Sequence, residues 1–484
     1  MSKDILGGVL ITLLYNMIFS SPIFLFLFLP CFLLIYYISP RKTKNLIILL
    51  FSLLFYTWGE KHLVALILFS SIVDYICGIV IQDYNRKLGL SISIVSNLSI
   101  LFVFKYLNFT IENLLLLEEI FKINVEQLKS IKHIALPIGI SFYTFQTLSY
   151  SIDVYRGKIK ASRNFIDFAT YVCMFPQLVA GPIVRYADIN KELNSRTIGL
   201  NDISIGIERF IIGLGKKVII ADTFAFVADE IFALPNYSLN SPVAWLGILS
   251  YSFQIFYDFS GYSDMAIGLG RMMGFRFLEN FNYPYISKSI REFWRRWHIS
   301  LSLWFRDYLY ISLGGNRKGT NRTYINLAIV FIVTGVWHGA NWTFIIWGLF
   351  HGLFLIIERM GFDKVLMRSW KPVQHIYALL VIVIGWVFFR STSLDNAIHY
   401  LTTLFNFSGQ EIVRLDRFIN YETAIVFVFA IINIAPNLGI YYTKLKAGNQ
   451  LKQLLYYIIL LTIFIVSIIY VSASSYSPFI YYRF

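Results

Sequence analysis

Between Asn326 and Ile357 the chain reads NLAIVFIVTGVWHGANWTFIIWGLFHGLFLII, mostly apolar and broken near its middle. About 20 apolar residues cross the hydrocarbon core of a bilayer, so this stretch is too long for one span. The break, Thr334-Gly335-Val336-Trp337-His338-Gly339-Ala340-Asn341, sets a Trp-His pair between two glycines. Hydrocarbon offers backbone N–H and C=O groups no partner, so irregular chain at that depth must be buried in protein or line a watery cavity. An ionisable residue at such a break is a functional-site candidate by default. The competing reading is a core histidine hydrogen-bonded across helices. His338 is therefore the first candidate, with Asn341 at the edge of the break as a group that could orient it.

Composition fixes the class. With 57% hydrophobic and only 14% charged residues, the chain is not a soluble globule. Repeated apolar stretches of spanning length predict an all-α polytopic membrane protein. The stretches lack the period-two alternation of a membrane β-barrel. The net charge of +14 lies between the apolar segments, where it suits cytoplasmic loops beside anionic lipid rather than nucleic acid. No cleavable signal peptide is read over Met1–Ser20. Cys31, Cys77 and Cys173 have no pair spacing, so neither a disulfide framework nor a thiolate metal site is expected.

Taken in order, 5–20 lies in the interface or spans, and 23–38 spans to a basic Arg41–Lys44 placed in the cytoplasm. Segment 45–59 exits, 63–83 returns to Asn85-Arg86-Lys87, and 90–107 exits to a mixed-charge external loop, 108–133. Segment 134–155 re-enters and ends at the basic run Arg156–Arg163. Three basic loops thus fall on one side, as the positive-inside rule requires. Pro176, Gly181 and Pro182 make 165–184 re-entrant or kinked. The helical stretch 203–233 carries Lys216-Lys217 at its centre, so it bends at Gly213 and Gly215 or lets the lysines snorkel. Span 243–269 ends in a polar aromatic turn over 256–264. From 271 to 322 arginines and lysines interleave with Trp294, Trp297 and Trp304, as in a segment at the cytoplasmic interface. A further basic stretch, Arg359–Lys371, puts both ends of 324–357 inside, which makes that segment a helical hairpin with His338 near its tip. Spans at 376–390, 421–440 and 453–471 leave an external tail, 472–484. No internal repeat stands out, against a transporter of paired halves. The whole of 1–484 reads as one transmembrane domain.

Common signatures of soluble enzymes are missing: no Gly-x-Ser-x-Gly elbow, no P-loop, and no His-x-x-x-x-Asp pairing at any of the seven histidines. Two histidines stand in unusual company. His298 closes Arg291-Glu-Phe-Trp-Arg-Arg-Trp-His298 beside the basic interface, and His338 lies 40 residues on. A neutral imidazole can take a proton from a hydroxyl nucleophile, and burial keeps it neutral. The basic run suits an anionic carrier such as the phosphates of coenzyme A. A headgroup-depth histidine remains the bland alternative for His298.

Several stretches together resemble the membrane-bound O-acyltransferase family, and within it the bacterial alginate O-acetylase branch. They are Phe256-Tyr-Asp-Phe-Ser-Gly-Tyr-Ser-Asp264, Glu279-Asn-Phe-Asn-Tyr-Pro-Tyr285, Arg291 to Ser302, Gly314-Gly-Asn-Arg-Lys-Gly319 and Gly335-Val-Trp-His-Gly339. Pro176-Gln-Leu-Val-Ala-Gly-Pro182 and Ser21-Pro-Ile-Phe24 extend the likeness to nearly the whole chain. The resemblance implies about 11–12 transmembrane helices, with re-entrant and interfacial helices, around a channel from the cytoplasm to an external funnel. It implies that His338 is the catalytic histidine and His298 the second signature histidine.

On that footing the expectation is a multi-pass enzyme of a bacterial inner membrane that O-acetylates an exopolysaccharide or peptidoglycan. Acetyl-coenzyme A is the expected donor, bound at Arg291, Arg295 and Arg296 with Trp294 and Trp297, and no tightly held cofactor or metal is implied. His338 is the expected general base, and His298 positions the thioester. Asp258 and Asp264 orient a histidine or satisfy a polar turn. An SGNH-type, esterase-like external partner is expected to complete delivery. D-alanyl transfer to teichoic acids from a carrier protein is the nearer alternative, and a glycan or lipid permease the alternative of another class. The tail pattern Phe479-x-Tyr481-x-x-Phe484 resembles the C-terminal motif of a small companion protein in teichoic acid D-alanylation. It makes Tyr481 a candidate acyl relay, against the plainer role of aromatic anchor.

Overall fold

The computed structural model describes residues 17–121, 128, 131, 133–179, 181–407 and 413–473, without the side chains of 118–120. The tail with Tyr481 and the start of segment 5–20 lie outside them. The described residues are helical with no strand, and they fall into two compact units. Five stretches are long and apolar enough to cross a membrane: Arg41–Asp83, Arg86–Leu117, Trp342–Arg368, Lys371–Arg390 and Gln450–Ala473. A bent pair, Tyr421–Asn433 and Asn437–Lys446, would make six. Other apolar helices are shorter, run into π-helical turns, or carry charged residues.

One unit comprises the described residues up to Ile203 together with Gly270–Phe277. Its helices include α1 (Lys44–Glu60), α2 (Val64–Asp83), α3 (Arg86–Leu101) and α4 (Ile140–Tyr155). Helix α3 is followed by a π-helical turn and a helix to Phe121, so the expected loop 108–133 is helical over its first half. The packing of α2, α3 and α4 turns on the fully buried Asp74. It accepts from Ser93 Oγ at 2.5 Å, Asn97 Nδ2 at 2.7 Å and Ser151 Oγ at 3.1 Å. Thr147 Oγ1 donates to Asn97 Oδ1 at 2.9 Å and completes the network. Polar groups shared in this way hold helices together where lipid offers no hydrophobic gain. The predicted break in 165–184 falls at Met174, between helices Phe165–Cys173 and Phe175–Leu178.

The other unit comprises Ser204–Leu269 and Leu278 onward. Helix α5 (Leu200–Gly215) passes through a π-helical turn, Lys216–Ala221, into α6 (Asp222–Phe232). The lysines do not snorkel. Buried Lys217 meets Asp222 at 2.6 Å and Asp258 at 3.0 Å, and Lys216 meets Asp264 at 2.6 Å. Nor is 256–264 a turn: α7 runs unbroken over Ser241–Met272. Gly213 explains why, since a Cβ there would sit 2.6 Å from the Gly261 carbonyl oxygen, and one on Gly261 2.7 Å from that of Gly213. The two backbones touch, and Asp258 and Asp264 of α7 find their partners on α5 and the π-helical turn after it without leaving the helix.

The segment 271–322 folds into two short helices, α8 (Ile290–Arg296) and α9 (Ile299–Trp304), then a π-helical turn, Phe305–Tyr310. The expected hairpin follows as α10 (Thr320–His338) and α11 (Trp342–Ile357), then α12 (Lys371–Arg390) and a shorter helix, Leu394–Phe405. Segment 421–440, expected as one span, bends by 80° between Asn433 and Asn437, where Pro436 removes a backbone donor. The last described helix is α13 (Gln450–Ala473).

Candidate active site

The break at the hairpin tip is narrower than the glycines suggest. Helix α10 continues through Trp337 and ends on His338, leaving Gly339, Ala340 and Asn341 as the turn. Gly335 belongs to the packing and not to the break: a Cβ there would lie 2.3 Å from the Phe344 carbonyl oxygen. Asn341 caps α11, accepting from Thr343 N at 3.0 Å while its Nδ2 donates to Thr392 O at 3.0 Å. It is therefore occupied in shaping the tip and does not turn towards a histidine.

The His338 ring is buried and framed by three aromatic rings. Trp337, Trp347 and Phe389 lie 4.9, 5.0 and 5.1 Å away by centroid, all close to edge-on. Such a frame fixes the imidazole plane by shape.

His298 is fully buried and stands in the left-handed backbone region, φ 43°, where α9 begins. Its Nδ1 lies 3.1 Å from Asn280 Oδ1. That oxygen also accepts from Ser300 N at 3.2 Å and Ser300 Oγ at 2.9 Å, while Asn280 Nδ2 reaches Ser263 Oγ at 3.2 Å. With the carboxamide fixed in this way, Nδ1 carries the proton and donates, and Nε2 holds the lone pair. Nε2 has no partner among the described residues. Burial lowers the pKa of this histidine to about 3, so the ring is neutral at physiological pH. Trp337 stands beside both histidines, 6.2 Å from the His298 ring. Asn280 is the orienting residue missed in the sequence; an Asn in Glu279-Asn-Phe-Asn-Tyr-Pro carries no sign of which histidine it will meet.

Beside the hairpin lies a cavity of about 320 Å³. Arg291, Arg295, Arg306 and Arg359 line it together with Trp294, Phe305, Phe331 and Thr334. Arg291 is paired with Asp363 at 3.0 Å and Arg306 with Asp307 at 2.7 Å. Arg295 and Arg359 are exposed and meet no carboxylate among the described residues. The mouth is thus cationic and the wall aromatic. Thr334, also in its lining, sits one helical turn before His338 on α10.

A carboxylate from the hairpin holds the arginine helix in place. Fully buried Glu358 accepts from the backbone N–H of Ile290 at 2.6 Å and of Arg291 at 3.0 Å, with the Tyr377 hydroxyl at 3.2 Å. It satisfies two orphan donors in the first turn of α8, and its charge complements that end of the helix.

Of the five residues expected at a donor, Arg291, Trp294 and Arg295 line the cavity. Arg296 turns away to Glu292, at 2.8 Å, and to the Asn282 carbonyl. Trp297 is core, packed on Phe293 and Trp386. Arg306, in the same basic segment but eleven residues past Arg295, and Arg359, from the next basic stretch, were not expected at the donor, because only folding brings them to it. Asp258 and Asp264 are ion-pair partners of Lys217, Lys216 and Arg209. Tyr481 lies outside the described residues. Among those residues no group of three His, Cys, Asp or Glu side chains could hold a metal ion.

Residues 25–394 match the model of MBOAT, the membrane-bound O-acyltransferase family. The chain is 44% identical to a probable alginate O-acetylase of Pseudomonas putida over 97% of its own length and all of the relative's. It is 37% identical to a peptidoglycan O-acetyltransferase of Helicobacter pylori, covering 83% of this chain and 82% of that one. A teichoic acid D-alanyltransferase of Streptococcus thermophilus is 33% identical over 46% of this chain and 56% of its own. With the apolar helices and the framed hairpin histidine, these matches make the chain a multi-pass acyltransferase that belongs to the membrane-bound O-acyltransferase family.

Proposed function

We propose that the chain is an O-acetyltransferase of the cell envelope, working across a bacterial cytoplasmic membrane. The observation that carries this reading is the cavity, lined by the exposed Arg295 and Arg359 and by Thr334, one turn from His338. A thioester donor with phosphates, acetyl-coenzyme A, has its anionic end at Arg295 and Arg359 and its acyl end towards the hairpin tip. His338 takes the proton of the acceptor hydroxyl as that oxygen attacks the thioester carbonyl, and the thiol leaves. Neutral His298, with its lone pair on Nε2 and its ring beside Trp337, positions the reacting groups. The full-length likeness to a probable alginate O-acetylase supports a polysaccharide acceptor. An SGNH-type, esterase-like partner outside the membrane completes delivery.

The test is acetylation of envelope polysaccharide by His338→Ala at matched membrane abundance. Loss of a positioned base lowers the rate by about 10²–10⁴. Wild-type acetylation by the variant would overturn the assignment. The tail carries a second, separable proposal: Tyr481 receives the acetyl group as a phenyl ester and passes it to the partner's serine. Tyr481→Phe keeps an aromatic anchor and removes the relay, so unchanged acetylation would leave the tail as anchor alone.

A further inference from the structure

Four cations gather where the helix Leu29–Ile38 gives way to α1: Arg41, Lys42, Lys44 and Arg196. Lys44 and Arg196 stand on one aromatic ring. The Lys44 ammonium is 4.2 Å from the centroid of Tyr36 and 5.8 Å from that of Tyr37, and it donates to the Tyr36 carbonyl at 2.9 Å. The Arg196 guanidinium is 5.8 Å from the same Tyr36 centroid. Its Nε donates to the Tyr36 hydroxyl at 3.0 Å and to the Met273 carbonyl at 3.1 Å. Tyr36 is itself fully buried and donates to Met273 O at 2.6 Å. The ring is fixed, and it fixes both charges.

No carboxylate lies within ion-pair distance of any of the four cations among the described residues. Asp167 reaches the group only through Asn45, whose Nδ2 donates to it at 2.6 Å while its Oδ1 accepts from Arg196 at 2.7 Å. Other basic groups of the same unit are paired, Arg163 with Asp83 and Arg185 with Asp188. Cation–π attraction lessens the repulsion between two like charges on one ring without neutralising it. Lys44 keeps two N–H donors unused, and Arg196 Nη2 meets no acceptor among the described residues. The cluster lacks an anion.

The surface beside it says what that anion is attached to. Lys42 is followed at every fourth position by Leu46, Leu50 and Leu54, all exposed, and Leu34 and Ile38 on the preceding helix are exposed as well. Arg41 opens the first stretch long and apolar enough to cross a membrane, so the cations head an apolar track at headgroup depth. A free phosphate would use the cations and ignore the track, whereas a lipid uses both. We propose that an anionic phospholipid binds here. Its phosphate accepts from Lys44, with Arg196 behind and Arg41 and Lys42 at the rim, and its chains lie along Leu46, Leu50 and Leu54. The headgroup offsets the repulsion that opposes the Tyr36 clamp between the helix Leu29–Ile38 and Met273.

The full chain in a nonionic detergent is offered equal amounts of phosphatidylglycerol and phosphatidylcholine with matched chains, and native mass spectrometry counts what stays bound. Wild type should retain phosphatidylglycerol preferentially. Lys44→Met should cut that preference about fivefold, the effect of one cation near an anionic headgroup, and Lys44→Arg should keep it. Arg41→Gln with Lys42→Gln should lower it too, and covers the case in which Lys44→Met does not fold. Lys87→Gln, exposed at the start of α3, should bind as wild type does. Melting separates the site from packing: phosphatidylglycerol should raise the wild-type melting temperature above that in phosphatidylcholine, and Lys44→Met should erase the gap. A variant that only weakened packing would melt lower in both lipids and keep the gap, which would overturn the site. Equal retention of the two lipids by wild type would overturn it as well. Glycerol phosphate that stabilises wild type as much as phosphatidylglycerol does would make the ligand a free phosphate and overturn the lipid.

Discussion

Gly335 and Gly348 face each other across the hairpin so closely that a Cβ on Gly348 would lie 3.2 Å from the Gly335 Cα and 2.2 Å from the Phe331 carbonyl oxygen. Small residues let membrane helices approach to backbone contact. Here the approach sets where His338 ends α10 and where Trp347 stands on α11. Gly335→Ala or Gly348→Ala should cost about 1–3 kcal/mol through overpacking and lower acetylation more than abundance. Gly352→Ala is the control, because its new Cβ would meet only the Phe331 side chain, at 3.0 Å. Equal behaviour of all three, by melting and by acetylation, would remove the special role of the close pair.

Asn280 fixes the tautomer of His298 through one oxygen shared with Ser300. Asn280→Ala strands buried donors, at about 1–3 kcal/mol each. It also frees the imidazole to move its proton to Nε2. The expected result is a fall in kcat with little change in donor KM, approaching His298→Ala. A double variant no worse than either single one would show that the two act together. Full activity in Asn280→Ala would rule out a tautomer requirement.

Arg295→Glu with Arg359→Glu should raise the KM for acetyl-coenzyme A without affecting the acceptor, since both cations are uncommitted at the cavity mouth. Arg296→Glu should disturb folding rather than donor use, because it would face Glu292 across a broken ion pair. Initial rates against donor concentration decide this, and an unchanged KM in the double variant would return those arginines to lipid or solvent.

Glu358→Leu leaves the N–H groups of Ile290 and Arg291 buried and unpaired, costing about 1–3 kcal/mol for each. The arginine helix then loses its register on the hairpin. Donor affinity should fall more than membrane abundance. Unaltered donor KM in a folded variant would show that α8 is held by its other contacts.

Burial lowers the His298 pKa to about 3, against an ordinary value of 6.5. The unfolded chain takes up this proton below pH 6.5, whereas the folded chain refuses it until about pH 3. The neutral ring is therefore without cost above pH 6.5, and stability is lost as pH falls through that window. His298→Gln should flatten the decline of melting temperature between pH 6 and 4. Parallel declines would mean that the ring is protonated in place.

Apolar length, the positive loops and the Trp-His break made the membrane class and the hairpin legible in the sequence and marked both histidines as candidates. Each depends on short-range chemistry: hydrocarbon thickness, lipid charge, and what a glycine-bracketed histidine can do at depth. Folding alone decided the partners. Lys216 and Lys217, which look like a bend or a pair of snorkelling cations, are neutralised by Asp264, Asp222 and Asp258, two of which lie more than 40 residues away. Arg296 and Arg295 are adjacent and identical in type, yet one is committed to Glu292 and the other lines the cavity, because neighbours on a helix point about 100° apart. Arg359 and Asn280 stand in stretches that draw notice, but nothing local says which cavity or which histidine they will meet. A sequence fixes which groups a chain owns, but a site is defined by distances between residues tens of positions apart, and those exist only once the helices have packed.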